Sequence, residues 1–149
     1  MALWFHHLGI VVRDDIEGAT DLYCDLLEAT PWKHGITTKE EHGHKAVVVS
    51  VGDSSLEILQ PIHDRGWTGK AFTEHLAEKG EGLYHLCYFT DDFDVQLARL
   101  RDRGYQVTEG SETLVEGVDL RYAMLTPDQT RGVWIEIVDA SNLPEDLVD

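Results

Sequence analysis

Apolar and polar positions fall into a pattern that the chain repeats. The stretch His7-Leu8-Gly9-Ile10-Val11-Val12-Arg13-Asp14-Asp15 is a short apolar run closed by acids, as expected of a strand with a buried face. Ile16, Ala19, Tyr23, Leu26 and Leu27 then recur at helical spacing, which predicts an amphipathic helix with those five on its inner face. The stretch His85-Leu86-Cys87-Tyr88-Phe89-Thr90-Asp91-Asp92 repeats the design. It leads into a second helical pattern with Phe93, Leu97 and Leu100 at i, i+4 and i+7, and Gly104 is placed to stop it.

Each helix is followed by further strands. Stretches 45–51 and 55–59 flank Gly52-Asp53-Ser54, whose turn-forming residues predict a hairpin. Stretches 120–125 and 133–138 flank a longer connection, 126–132. Each half therefore reads as strand, helix, then two or three more strands. Between the halves, 61–82 is a connector rich in glycine and charge, with a short helix expected over 71–79. The tail, 140–149, holds a proline and three acids and is expected to fray.

Four residues do not suit the strands that carry them. Glu57 sits in Leu56-Glu57-Ile58-Leu59, and Glu136 in Trp134-Ile135-Glu136-Ile137-Val138, each sharing a face with apolar neighbours. A carboxylate in such a place costs several kcal/mol unless a cation or partner satisfies it. Lys45 and Arg121 are the basic side chains near these strands in sequence; a metal would satisfy both carboxylates at once. His7 and His85 each open an apolar strand, and a neutral imidazole is the commonest protein ligand for a metal. His85 follows His7 by 85 − 7 = 78 positions and Glu136 follows Glu57 by 136 − 57 = 79. Singly, each of these residues reads as an ordinary core or edge side chain; their recurrence at matched offsets points to one divalent ion, Co, Ni, Mn, Zn or Fe, with open positions for a substrate.

Charge narrows the partners. Twelve Lys and Arg against 28 Asp and Glu leave a net −16, a field that repels phosphate backbones and anionic lipid, so neither nucleic acid nor membrane is an expected partner. A length of 149 residues suits a single domain with its own core. The start lacks the pattern of a secretory signal, and a cytoplasmic protein is expected. Cys24 and Cys87 are far apart, without a CxxC spacing, and read as buried free thiols. His42-Gly43-His44 lies in the polar stretch 37–44, read as a solvated loop, while His6 should face away from His7. His34, His63 and His75 show no partners in the sequence. Trp32, Trp67, Trp134 and Tyr122 are either core or the lining of an organic pocket.

The motifs His-Leu-Gly-Ile-Val-Val (7–12), Leu-Glu-Ile-Leu-Gln-Pro (56–61), Gly-Leu-Tyr-His-Leu (82–86) and Gly-Val-Trp-Ile-Glu-Ile (132–137) resemble those of the vicinal oxygen chelate superfamily, within it most the methylmalonyl-CoA epimerase and glyoxalase I groups. The resemblance implies an α+β fold: tandem βαβββ modules, about 5–61 and 83–139 with connector 62–82, forming a curved open barrel around a metal cleft within one domain, 1–149. It implies that His7, Glu57, His85 and Glu136 turn inward onto one divalent metal. It also implies a metal-dependent isomerase, epimerase or lyase that abstracts a proton beside a chelated carbonyl, with Glu136 as general base and Glu57 as its counterpart. The expected substrate is a small molecule with vicinal oxygens, an acyl-CoA among the candidates; Lys70, Lys79, Arg121 and Arg131 are the basic side chains available for its phosphates. A homodimer is expected, since relatives pair edge strands or modules. Two alternatives stay open: an Fe(II) extradiol-type dioxygenase built on His7, His85 and Glu136, against which a fourth ligand counts, and a non-enzymatic binder or resistance protein for natural products.

Overall fold

The computed structural model describes residues 2–148, and the chain divides into two compact units. One runs from His7 to Tyr84; the other joins the described residues up to His6 with those from His85 onward. Both contain helices and strands in the order the sequence pattern suggests, an α+β arrangement.

The first unit contains most of β1 (Trp4–Val11), then α1 (Ile16–Leu27), β2 (Thr30–Pro31), β3 (Thr37–Lys39), β4 (His44–Val51), β5 (Ser54–Pro61) and α2 (Trp67–Lys79). Its strands lie in the order β2-β4-β5-β1, with β3 also on β4. β1 and β5 are parallel, from His7 opposite Ser55 to Val11 opposite Leu59, so the chain must cross over between them, and α1 lies within that crossover. α1 starts where Asp15 accepts from the Gly18 amide at 3.1 Å and the Ile16 amide donates to Gln60 Oε1 at 2.9 Å. It buries Ile16 against Ile10, Val47 and Ile58, with Leu8, Val12, Ala19 and Tyr23 around them. The expected inner face holds only over the first turns. Leu26 and Leu27 are exposed, 63% and 44%, because the last turn ends in a left-handed Glu28 that leads straight into the short strand β2.

Three expectations change in this unit. The β4–β5 hairpin turns on Gly52-Asp53 alone, with Gly52 at φ +59° and Ser54 already paired to Val51. The stretch 37–44 is not a solvated loop: β3 pairs antiparallel with β4, and His44 opens β4 as a buried residue. The connector helix begins at Trp67 rather than at 71. Gly69, in its first turn, is the residue the packing requires, since a Cβ there would fall 2.5 Å from the His63 carbonyl oxygen.

The second unit runs along β6 (Gly82–Thr90) from His85, then α3 (Phe93–Asp102), β7 (Thr108–Val115), β8 (Val118–Leu125), α4 (Pro127–Thr130), β9 (Trp134–Asp139) and α5 (Glu145–Val148). Strand order is β6-β9-β8-β7, with β6 and β9 parallel from His85 opposite Trp134 to Thr90 opposite Asp139. α3 packs Phe93, Leu97 and Leu100 on Ala123, Leu125 and Ile137. It ends at Arg103, and Gly104 follows at φ +91°, as its position foretold. A second cluster, Cys87, Phe89, Leu120, Val138 and Ala140, lies off that helix-packed face. The tail departs from expectation: α5 buries Leu147, and Leu143 packs on the second cluster, so apolar anchors offset the acids and proline. Among the described residues, no helix is long and apolar enough to cross a membrane.

Candidate active site

Alternation along β1 and β5 decides which side chains can do chemistry. Leu8, Ile10 and Val12, with Leu56 and Ile58, pack with α1; His7 and Glu57, on alternate positions, take the opposite face. Gly9, opposite Glu57, adds no side chain there. His7 is buried, 6% exposed, and its Nε2 lies 3.5 Å from Glu57 Oε1, whose side chain remains 22% exposed. The first half of the sequence-predicted ligand set is therefore a nitrogen donor beside a carboxylate oxygen donor.

The antiparallel register sets His44 opposite Pro61, Ala46 opposite Leu59 and Val48 opposite Glu57, so His44 shares Glu57's face. It is 5% exposed. Its Nδ1 lies 2.5 Å from Thr68 Oγ1 of α2, and that hydroxyl donates to the His42 carbonyl at 2.7 Å. The Phe72 ring meets the imidazole edge-on at 5.5 Å. Burial pulls His44 down from 6.5 to about 4; Glu57 pulls it partly back up, while His42 and Lys39 lower it further. Local spacing does not mark this residue, because its partner Thr68 is 24 positions away on another element.

The other histidines also acquire surroundings. The His63 Nε2–H donates to the Glu40 carbonyl at 3.2 Å, and its Nδ1 accepts from the Arg65 amide. His34 packs on Trp32, with ring centroids 4.2 Å apart. His75 meets Tyr84 edge-on at 5.2 Å, and burial lowers its pKa.

In the second unit His85 is buried, 4% exposed, with Trp134 opposite it in register. Two positions on, Cys87 stands opposite Glu136, and a ligand atom of each lies within 4.8 Å of the other. Cys87 is a fully buried free thiol, and Cys24 is free and half-buried. Cys87 is thus the buried free thiol expected, and its place two residues after His85 on the same face of β6 is what sets it beside Glu136. His6 stacks flat on Phe89 at 3.9 Å, against the face of β6 that also carries His85 and Cys87. Tyr122 lies over Gly110, where a Cβ would meet its ring at 2.6 Å, and burial, then Glu112 and Glu136, push its hydroxyl pKa up. Of the aromatic candidates, Trp67 is exposed, while Trp32, Trp134 and Tyr122 are half-buried.

The expected phosphate contacts are partly committed elsewhere. Arg121 pairs with Asp94 at 2.9 Å and Glu109 at 2.8 Å and lies over the Phe93 ring, and Lys70 stands 4.0 Å from Glu74.

A duplicated unit of this topology, with a histidine on the first strand and a carboxylate on a later one, defines a protein class. The chain belongs to the glyoxalase/bleomycin resistance protein/dioxygenase superfamily, whose model matches residues 6–122. Among its relatives are the mitochondrial methylmalonyl-CoA epimerase of Mus musculus, 26% identical over 91% of this chain and 72% of that protein, and the ethylmalonyl-CoA/methylmalonyl-CoA epimerase of Cereibacter sphaeroides, 25% identical over 89% and 94%. A solved Streptomyces coelicolor methylmalonyl-CoA epimerase variant in complex with 2-nitronate-propionyl-CoA shares the fold, with a TM-score of 0.74 and 25% identity over 93% of this chain and 97% of that one.

Proposed function

We propose that the protein is a metal-dependent epimerase acting on a carbon acid beside a thioester or related carbonyl, with an acyl-CoA of the methylmalonyl type as its substrate class. The observation that carries the reading is the His7–Glu57 pair, its nitrogen and oxygen donors 3.5 Å apart on one face of the paired strands β1 and β5, in a chain similar over 89% and 91% of its length to two epimerases.

The donor set fits a divalent ion. His7 and His85 are buried imidazoles able to serve as neutral ligands, and Glu57 and Glu136 are half-buried carboxylates, Glu57 beside His7 and Glu136 opposite Cys87. In this reading the four residues hold one ion. When bound, that ion supplies positive charge to the substrate's carbonyl oxygen and so makes the adjacent C–H more acidic. The Glu136 carboxylate takes the proton from that carbon; the C–H electron pair moves toward the carbonyl to give an enolate. Glu57, protonated before the substrate arrives, gives its proton to the same carbon from the other side, so the centre inverts; Glu136 ends protonated and Glu57 ionised, and proton exchange with water resets both.

The test is proton exchange. Metal-loaded protein in D₂O should place deuterium on the carbon beside the thioester of methylmalonyl-CoA, and Glu136→Gln should abolish that exchange. Alanine at His7 should remove the metal under dialysis against a weak chelator. Unchanged metal content in the His7 variant would refute the ligand set, and no exchange by the wild type would refute the reaction.

A further inference from the structure

We infer that His44 determines substrate specificity: a neutral imidazole whose Nε2 accepts a hydrogen bond from an O–H or N–H group of the bound substrate. The inference rests on the epimerase reading for the identity of the ligand and deepens it.

Hydrogen accounting fixes the tautomer. The Thr68 hydroxyl has one hydrogen, and a carbonyl oxygen accepts only, so the 2.7 Å bond to the His42 carbonyl uses that hydrogen. The 2.5 Å contact between Thr68 Oγ1 and His44 Nδ1 then requires Nδ1–H to donate. A neutral imidazole has no second N–H, so Nε2 carries a bare lone pair. No described protein group donates to that nitrogen, and it is not sealed from solvent. His44 is otherwise as deeply held as His7, 5% against 6% exposed, with the Phe72 ring closing one side.

The strand register supplies the context. His44 is on the face that carries Glu57, so its lone pair belongs to the same side of the sheet as the group that returns the proton. Such a lone pair favours a ligand that brings a donor and disfavours one that presents a carbonyl or carboxylate oxygen at the same point. The donor is either the amide N–H of an acyl-CoA's pantetheine arm or a hydroxyl beside a carboxylate, as in a 2-hydroxy acid. The charged and titratable groups bearing on His44 are Glu57, His42 and Lys39.

The experiment uses ¹⁵N-histidine NMR on the whole protein, with methylmalonyl-CoA and lactate as probes. His44 should show a protonated Nδ1 and a bare Nε2, and one probe should shift the Nε2 resonance while leaving Nδ1 in place; which probe does so identifies the donor. His44→Asn keeps a donor toward Thr68 and leaves nothing at the Nε2 position, whereas His44→Gln restores an acceptor there. With the Asn variant folded, KM for deuterium exchange should rise about 10- to 100-fold with kcat nearly unchanged, and the Gln variant should recover most of the loss. An Nε2–H tautomer, an unchanged KM in His44→Asn, or an Nε2 resonance that neither probe moves would overturn the inference. A wild type that exchanges no deuterium yet shows the Nε2 shift refutes the epimerase reading alone and supports the acceptor role.

Discussion

Replacing His44 with Gln should flatten part of the protein's stability against pH, and the size of the effect follows from its burial. The folded state holds this imidazole near 4, against 6.5 in its ordinary setting. At about 1.4 kcal/mol per pH unit, the gap is worth about 3 kcal/mol. Its sign follows from proton counting: between pH 6.5 and 4 the unfolded chain binds a proton here and the folded chain does not. Stability is therefore fully present above pH 6.5 and is lost as pH falls toward 4. Urea unfolding of chelator-treated wild type and His44→Gln at pH 7 and pH 4 measures the difference, since the remaining titrating groups are common to both. The wild type should lose about 3 kcal/mol more than the variant over that range. Parallel losses in the two proteins would show that His44 titrates normally in the fold, and the argument from burial would fail.

Other expectations are independent of this one. Gly43→Ala should cost about 3 kcal/mol or more in urea unfolding, because its φ is +89° and a Cβ would sit 2.3 Å from the Arg65 carbonyl oxygen; Gly35→Ala, at φ +62° with nothing nearby, should cost about 1 kcal/mol. Equal costs would remove the close approach from the explanation. Gln60→Ala deprives the Ile16 amide of its acceptor and should destabilise by about 1 kcal/mol, with no change in stability counting against its capping role. Sedimentation at micromolar concentration should show a homodimer, which would cover edge strands such as β7; a monomer would refute it.

What the sequence made legible was periodic. The strand-helix order of each half, the β4–β5 hairpin and the stop at Gly104 all rest on local spacing, and local spacing survives into the structure. The two histidines and two carboxylates stood out because the chain repeats them. Features made by distant contacts were hidden. His44 reads as loop because its partner Thr68 is on α2, and the true start of α2 at Trp67 is hidden because the His63 carbonyl that requires a glycine at 69 lies outside the helix. Arg121 looked available for a phosphate because its acids, Asp94 and Glu109, come from other elements. The tail looked loose because composition does not show where Leu147 lands.

The parallel pairings have a consequence for synthesis on the ribosome. His7 lies opposite Ser55 and His85 opposite Trp134, so each histidine strand finds its partner only after some fifty further residues have emerged. A hairpin can close as soon as it is made, but a parallel pair must wait for the intervening chain, and such non-local closure is slow. His7 therefore meets Glu57 only once β5 has been made. A nascent chain whose β5 has not emerged from the exit tunnel has the histidine but not the partner carboxylate in reach, so the pair is a chemical record that the chain has folded as far as β5.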